Sequence, residues 1–183
     1  QKKFIPEVYG LKLFQKTNFA TLEASYLLSI VFNNNFYEYK EVFFKILSEV
    51  IKSVDIELGR IAMVHSYCIY SLWNNDFESF KSFYEEMKKV DFLEELSKID
   101  NEDMFYMFFE NIIIMLLSKG QNEICFNIVT ESEFKEELKP FYYATVSFFK
   151  DERQQEYLRM GPELQGTVDE ILQKVEEYRV KYA

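Results

Sequence analysis

The spacing of apolar residues most constrains the fold of this chain, because it repeats with the period of an α-helix almost from end to end. The first two stripes consist of Phe19, Leu22, Tyr26, Leu27 and Ile30, and of Phe36, Tyr39, Phe43, Ile46, Leu47 and Val50. The 183 residues include only five glycines and three prolines, which are too few turn-forming residues for a β-sandwich or a series of βαβ loops. The sequence therefore predicts an all-α fold with essentially no sheet.

Capping residues divide the rest of the chain into further helices. Asp55 and Asp76 precede apolar stripes as N-caps, Asp100 or Asn101 can cap a fifth helix, and Gly120 suits the left-handed position that ends it. The predicted helices cover about residues 56–73, 77–90, 123–129, 141–150, 152–160 and 163–182, together with the fifth helix, which ends at residue 118. The helix at 77–90 either extends or kinks to residue 96. The last has an apolar stripe of Leu164, Val168, Ile171, Leu172, Val175 and Tyr178 opposite a polar face, as expected of a helix that caps an open end.

The first sixteen residues follow no single period. Their apolar side chains lie around Pro6 and Gly10, so residues 1–16 are predicted to be a docked arm or the end of a preceding unit, with one helical domain over residues 17–183. The chain begins at Gln1 and not at methionine. We therefore expect it to be processed or, more readily, to be a segment of a longer protein.

A short turn motif repeats within the chain. FNNNF at residues 32–36 matches WNNDF at residues 73–77, after which Tyr39 corresponds to Phe80 and Lys40 to Lys81. Further turns follow at residues 118–121 and 149–151. Helix pairs that repeat every 30 to 47 residues or so are typical of α-solenoids, in which neighbouring pairs stack.

The second helix pair resembles a tetratricopeptide repeat. Residues 75–77, Asn-Asp-Phe, occupy the place of the family's Gly-Asp-Tyr turn, and Cys68 falls where the first helix of such a repeat has a small residue. In the third pair, Gly120 lies in the turn and Cys125 at the small position of the second helix. Residues 141–172 are similar to the closing helices of bacterial tetratricopeptide-type proteins.

The chain also departs from the family pattern. Leu27, Tyr39 and Phe80 are large where the family has small residues, and the spacing exceeds the regular period of about 34 residues. A related helical-pair repeat is therefore an alternative. Under either interpretation, the resemblance implies an α-α superhelix of about four antiparallel helix pairs with a C-terminal capping helix, whose first helices line a concave face.

The register of the tetratricopeptide turn implies a binding face. The predicted partner-binding residues are Phe32, His65, Ile69, Trp73, Glu110 and Ile114. Trp73 is the only tryptophan of the chain, and tryptophan is a favoured anchor because it buries much area at little entropic cost. The alternative for Trp73 and its counterpart Phe32 is that both pack a turn against the next unit.

No catalytic or metal-binding constellation is recognisable. His65 is the only histidine and lies one helical turn from Cys68, whereas zinc needs three or four ligands and Cys125 is distant in sequence. A nucleophile needs a base and an orienting group, and no glycine-rich phosphate loop or G-x-S-x-G motif occurs. Glu110, beside Asn111 in an apolar run, fits a groove-facing or hydrogen-bonded residue. We expect no catalytic residue, no metal and no cofactor.

Charge and cysteine content limit the partners and the compartment. The net charge of −10 disfavours direct nucleic-acid binding, which needs Lys and Arg to neutralise phosphates. The acidic residues 85–103 are predicted to form a solvated face, with a site for a basic partner as the alternative.

The apolar window at residues 104–117 is shorter than the roughly 20 residues of a membrane span and is predicted to be a buried helix. Cys68 and Cys125 resemble no disulfide framework and no signal peptide is recognisable, which predicts a cytoplasmic protein.

These observations favour a non-catalytic module that binds a protein or peptide and serves as a sensor or scaffold segment of a larger bacterial protein. A second copy of the chain is a further candidate partner. The alternative is the C-terminal peptide-sensing domain of a cytoplasmic transcriptional regulator of the Rgg type. An all-α enzyme that works through Glu110 or His65 is a third hypothesis.

Overall fold

The computed structural model describes residues 36–52, 58–99 and 102–181, and all regular secondary structure within them is α-helical. The helices are α1 (Phe36–Val50), α2 (Leu58–Trp73), α3 (Phe77–Lys89), α4 (Phe92–Ser97), α5 (Glu102–Ser118), α6 (Asn122–Glu131), α7 (Lys139–Val146), α8 (Gln154–Leu158) and α9 (Pro162–Lys181). More than half of the chain lies in them, which confirms the predicted all-α class. Outside the described residues lie the predicted arm at 1–16, the stripe from Phe19 to Ile30, Phe32, and the caps predicted at Asp55, Asp100 and Asn101.

The chain divides between Asp100 and Asn101 into two compact units. The described part of the first unit contains α1 to α4, and that of the second contains α5 to α9. Among the helices that the structure describes, none combines the length and the apolar character needed to cross a membrane.

An aromatic cluster joins three helices of the first unit. α1, α2 and α3 pack against one another, and α4 packs against α3. Phe83 of α3 lies 4.6 Å from Tyr67 of α2 and 5.8 Å from Phe44 of α1, measured between ring centroids. Cys68 and Leu72, which follow Tyr67 along α2, are completely shielded from solvent. The core of this unit therefore lies along one side of α2.

The turn from α2 to α3 depends on Asn75, whose φ of +59° lies in the left-handed region that asparagine tolerates better than most residues. The N–H of Asn75 donates to the carbonyl of Leu72 at 3.0 Å, and the N–H of Asp76 donates to the carbonyl of Ser71 at 2.8 Å. These bonds form a Schellman motif, which satisfies the last carbonyl groups of a helix. The Asp76 carboxylate then accepts a hydrogen bond from the N–H of Ser79, which confirms the predicted N-cap of α3.

Lys40 connects α1 to this turn. Its Nζ donates to Oδ2 of Asp76 at 2.6 Å. Partial burial acts to raise the pKa of Asp76, but hydrogen bonds from Lys40 and Ser79 outweigh it and hold that pKa below its usual range. The stability that Asp76 contributes is therefore present at neutral pH and is lost as the pH falls through this lowered pKa.

The turn from α5 to α6 has the same hydrogen-bond pattern. Gly120 has a φ of +70°, its N–H donates to the carbonyl of Leu117 at 3.0 Å, and the N–H of Gln121 donates to the carbonyl of Leu116 at 2.9 Å. The predicted helix end at Gly120 is confirmed. The turns at Asn75 and Gly120 therefore share one geometry, although different residues adopt the left-handed conformation.

The second unit is built around α5. α6, α7 and α9 pack against it, and every residue from 112 to 117 is buried, which confirms the predicted buried helix for the second half of the window at 104–117, whereas Met107 in the first half is 55% exposed. α9 lies against both α5 and α7. Val168, Ile171 and Val175 are the buried members of its predicted apolar stripe.

Some helix boundaries differ from the prediction. α7 contains Pro140 in its first turn, where the missing N–H would have no helical partner. α7 also ends early, at Val146, because the N–H groups of Phe148 and Phe149 donate to carbonyls three residues back and tighten the chain into a turn. Of the two possibilities predicted for residues 91–96, an extension or a kink, the structure shows the kink: Asp91 has a φ of +54° and separates α3 from α4.

The burial of both cysteines gives a testable prediction. Cys68 and Cys125 are unpaired and completely buried, and burial raises the pKa of each thiol. Because the thiolate is the reactive form, neither should react with an aromatic disulfide reagent in the folded protein at mildly alkaline pH. Both should react after unfolding in guanidinium chloride. A thiol that reacts rapidly in the folded protein would contradict this assignment.

Candidate functional site

One side of α2 carries three of the predicted binding residues. His65, Ile69 and Trp73 follow one another at intervals of four residues along one side of α2. His65 and Ile69 are half-buried, whereas Trp73 is 43% exposed. Exposure therefore increases along this face toward the C-terminal end of α2. We call His65, Ile69, Tyr70 and Trp73 the α2 face.

Tyr70 belongs to this face although the sequence analysis did not select it. Its ring lies edge-to-face with that of Trp73, with 5.7 Å between the centroids. The carbonyl of Tyr70 also accepts a hydrogen bond from the Asn74 side chain at 2.8 Å. The sequence feature that could have selected Tyr70 is its spacing of three residues from Trp73, because side chains three positions apart are neighbours on a helix surface.

The backbone that follows Trp73 is held in place by hydrogen bonds of the turn from α2 to α3. Trp73 is the last residue of α2 and directly precedes the Schellman motif at Asn75. The next helix starts at Phe77, and its N-cap Asp76 is bound by Lys40. An exposed indole held on such a support loses little backbone entropy when a partner covers it.

His65 lies on the more buried part of the α2 face. Burial lowers its pKa, so the imidazole is neutral at pH 7. Cys68, its nearest neighbour of catalytic type along the helix, is completely buried and belongs to the core. The two residues therefore do not form a catalytic pair at a solvent-accessible surface.

As the only histidine of the chain, His65 can be titrated directly. Because burial disfavours the imidazolium, we expect a folded-state pKa below the value of about 6.5 for an exposed histidine. The unfolded state then binds the proton more tightly, so stability is retained above about pH 6.5 and lost as the pH falls through the folded-state pKa. The midpoint of its single imidazole resonance in an NMR titration measures this pKa.

The control is His65→Gln, which removes the titrating group. The melting temperature of this variant should fall less than that of the unmodified protein between about pH 7 and pH 5.5, where histidine titrates. A histidine midpoint at or above 6.5 would contradict the prediction.

The remaining predicted site residues are Glu110, Ile114 and Phe32. Glu110 and Ile114 lie on α5 in the second unit, and Phe32 lies outside the described residues. The Glu110 carboxylate is paired with Nζ of Lys174 on α9 at 2.5 Å, and Ile114 is only 3% exposed. In this unit Glu110 therefore binds α9 and Ile114 fills the core. The repeat register could not anticipate this, because it does not reveal that α9 packs against α5.

The α2 face offers mainly aromatic and aliphatic contact area. In the part of the chain that the structure describes, no three His, Cys, Asp or Glu side chains are grouped to hold a metal ion. The α2 face combines an indole, a phenol, an aliphatic side chain and a neutral imidazole. These groups bind by apolar burial, ring stacking and single hydrogen bonds.

Comparison of the chain with protein-family models, with curated proteins and with solved structures finds no match.

Proposed function

We propose that this chain is a non-catalytic helical module that binds a protein or peptide segment through the α2 face. The observation that carries the proposal is the exposure of Trp73, 43%, at the rigid end of α2 beside Tyr70. Large aromatic side chains that remain exposed on a fixed support are typical anchors of protein interfaces. Ile69 and His65 extend the same face along the helix.

The equivalent turns support a repeated architecture. α2 and α3 pack against each other across the turn at Asn75, and α5 and α6 do so across the turn at Gly120. We propose that these are two pairs of a tetratricopeptide-like superhelix of about four antiparallel pairs, in which α9 is the capping helix. The polar side of α9 and its buried stripe support that role.

The side chains of the α2 face and the net charge of the chain favour a particular partner chemistry. The aromatic and aliphatic side chains of the α2 face favour a segment with apolar anchors of its own. The net charge of −10 favours a partner with some positive charge. The two unpaired cysteines support a cytoplasmic location.

The test is selection of peptides that depend on Trp73. A displayed library of random peptides is selected on the unmodified protein and counter-selected on Trp73→Ala. The affinity of the selected peptides is measured by Trp73 fluorescence, because no other tryptophan contributes, and for Trp73→Ala by calorimetry. We expect Trp73→Ala to cost about 2 kcal/mol or more of binding, as truncation of a central anchor does.

Folding stability separates an anchor from a packing residue. Trp73→Ala should retain its helical circular dichroism, whereas a collapse of the first unit would assign Trp73 to packing. Met107→Ala is the matched control, because Met107 is also exposed (55%) but lies in the second unit. It should bind the selected peptides normally. Failure to recover any Trp73-dependent peptide would refute the proposal.

A further inference from the structure

Arg153 directly precedes α8, and its guanidinium group is held along two edges. Nη1 and Nη2 donate to the two carboxylate oxygens of Glu123, each at 3.0 Å. Nε and Nη2 donate to the carboxylate of Asp151 at 3.0 and 2.5 Å. Such paired bonds match the planar fork of a guanidinium and cannot be reproduced by the ammonium group of lysine.

The flat face of the same guanidinium lies against aromatic rings. Its central carbon is 3.4 Å from the ring centroid of Phe149 and 5.1 Å from that of Phe126. The two rings meet edge-to-face with 5.6 Å between their centroids, so they form a corner that receives the cation. We call Glu123, Asp151, Phe126 and Phe149 the arginine cage.

The segment that supplies Arg153 packs against α7 but contributes no side chain to the buried core. α8 has no buried residue, and its Leu158 is 69% exposed. The Gln154 side chain donates to a backbone carbonyl at 3.4 Å, which is long for a hydrogen bond. Segments with few buried apolar contacts open at low free-energy cost. We call residues 152–160 the strap.

Three of the four cage residues are anchored in the unit more firmly than the strap is. Glu123 and Phe126 lie on α6, which buries Cys125 on its other side and packs against α5 and α7. Phe149 is itself buried in the second unit. When the strap lifts, these three cage residues therefore keep their positions, and the site that Arg153 leaves retains one carboxylate and both rings.

We propose that the arginine cage is a binding site for an arginine side chain, that Arg153 occupies it in the free protein, and that an arginine of a basic partner segment replaces Arg153 when the strap lifts. The net charge of −10 attracts a basic segment, and the cage selects guanidinium over ammonium. Arg153 acts as a tethered competitor that keeps weak ligands out. This site lies in the second unit and does not depend on the α2 face.

The first test empties the cage with Arg153→Ala. The probe is the peptide acetyl-Gly-Arg-Gly-amide, and its matched control is acetyl-Gly-Lys-Gly-amide. The arginine peptide should bind the variant at least about tenfold more tightly than the lysine peptide does, the ratio expected for one charge-assisted hydrogen bond. It should also bind the variant about tenfold more tightly than the unmodified protein, in which Arg153 competes.

Two further variants locate the effect. Glu123→Gln, added to Arg153→Ala, should abolish the preference for arginine. Arg159→Ala should behave as the unmodified protein, because Arg159 pairs with Glu156 and the cage stays filled. Equal binding of the two peptides to Arg153→Ala overturns the proposal.

A second measurement, on the unmodified protein, tests the arginine-cage proposal if the Arg153→Ala variant does not fold. In the unmodified protein, the arginine peptide should accelerate hydrogen exchange of the backbone amides in residues 152–160 and leave those of α6 unchanged. The lysine peptide should change neither. Unchanged exchange in the strap at the highest soluble concentration of the arginine peptide overturns the proposal.

Discussion

A chain that ends at Met160 should lose the cooperative unfolding of its second unit and aggregate. The truncation removes α9, whose Val168, Ile171 and Val175 are almost completely buried against α5 and α7. Burying one such side chain stabilises a protein by about 1.5–3 kcal/mol, so three together approach the total stability of about 5–15 kcal/mol typical of a domain. The truncated chain would also expose the apolar surface of α5 to water.

Polar contacts that hold α9 would disappear with it. Arg179 donates to the carbonyl of Leu117 at 3.3 Å, and its guanidinium carbon lies 4.8 Å from the ring centroid of Phe148. Nζ of Lys174 reaches Glu110, whose carboxylate is mostly buried. Removal of α9 therefore breaks this cross-helix ion pair, in addition to the loss of apolar burial.

Two measurements and two full-length variants test the role of α9. Hydrogen exchange of residues 112–117 reports the second unit, whereas Trp73 fluorescence reports the first unit and need not change. Ile171→Asp should reproduce the effect of truncation, because it places a charge in the buried stripe. Gln173→Ala, on the exposed side of the same helix, should melt as the unmodified protein does. A soluble truncated chain with unchanged protection of α5 would show that α9 is an appendage.

The local elements of the fold could be predicted because they depend on neighbouring residues. Asp76 as an N-cap and Gly120 as a helix end follow from side-chain and backbone preferences within a few residues. The sequence left open whether the helix continues or kinks beyond residue 90, because aspartate visits the left-handed conformation seen at Asp91 only occasionally. The early end of α7 was missed, since nothing in residues 147–149 excludes a helix on propensity alone.

The candidate site could be predicted only in part, because its residues depend on tertiary packing. Periodicity places His65, Ile69 and Trp73 on one side of α2, and the structure describes them there. The same reasoning selected Glu110 and Ile114, and the structure adds what periodicity does not give: Glu110 pairs with Lys174 of α9, and Ile114 is only 3% exposed. Which side of α5 another helix covers depends on contacts between residues some sixty positions apart, as in the Glu110–Lys174 pair.

Phe109→Ala should destabilise the second unit by about 3–5 kcal/mol, the usual cost of removing a fully buried phenylalanine ring. Phe109 is completely buried in α5, and its ring lies 4.9 Å from that of Phe105 and 5.7 Å from that of Phe108 between centroids. The substitution removes these ring contacts and leaves a cavity. α5 is at the centre of the unit, so its neighbours cannot close this cavity without shifting the surrounding helices.

Met107→Ala supplies a matched control on the same helix. Met107 is 55% exposed and lies two positions before Phe109, so its truncation should change the unfolding free energy by no more than about 1 kcal/mol. Urea unfolding followed by hydrogen exchange at residues 112–117 separates the second unit from the first. If the two variants lose equal stability, the central position of Phe109 in the core is wrong. A large loss for Phe109→Ala alone agrees with the packing of α5 among α6, α7 and α9, because only a side chain enclosed by several helices leaves a cavity of that cost.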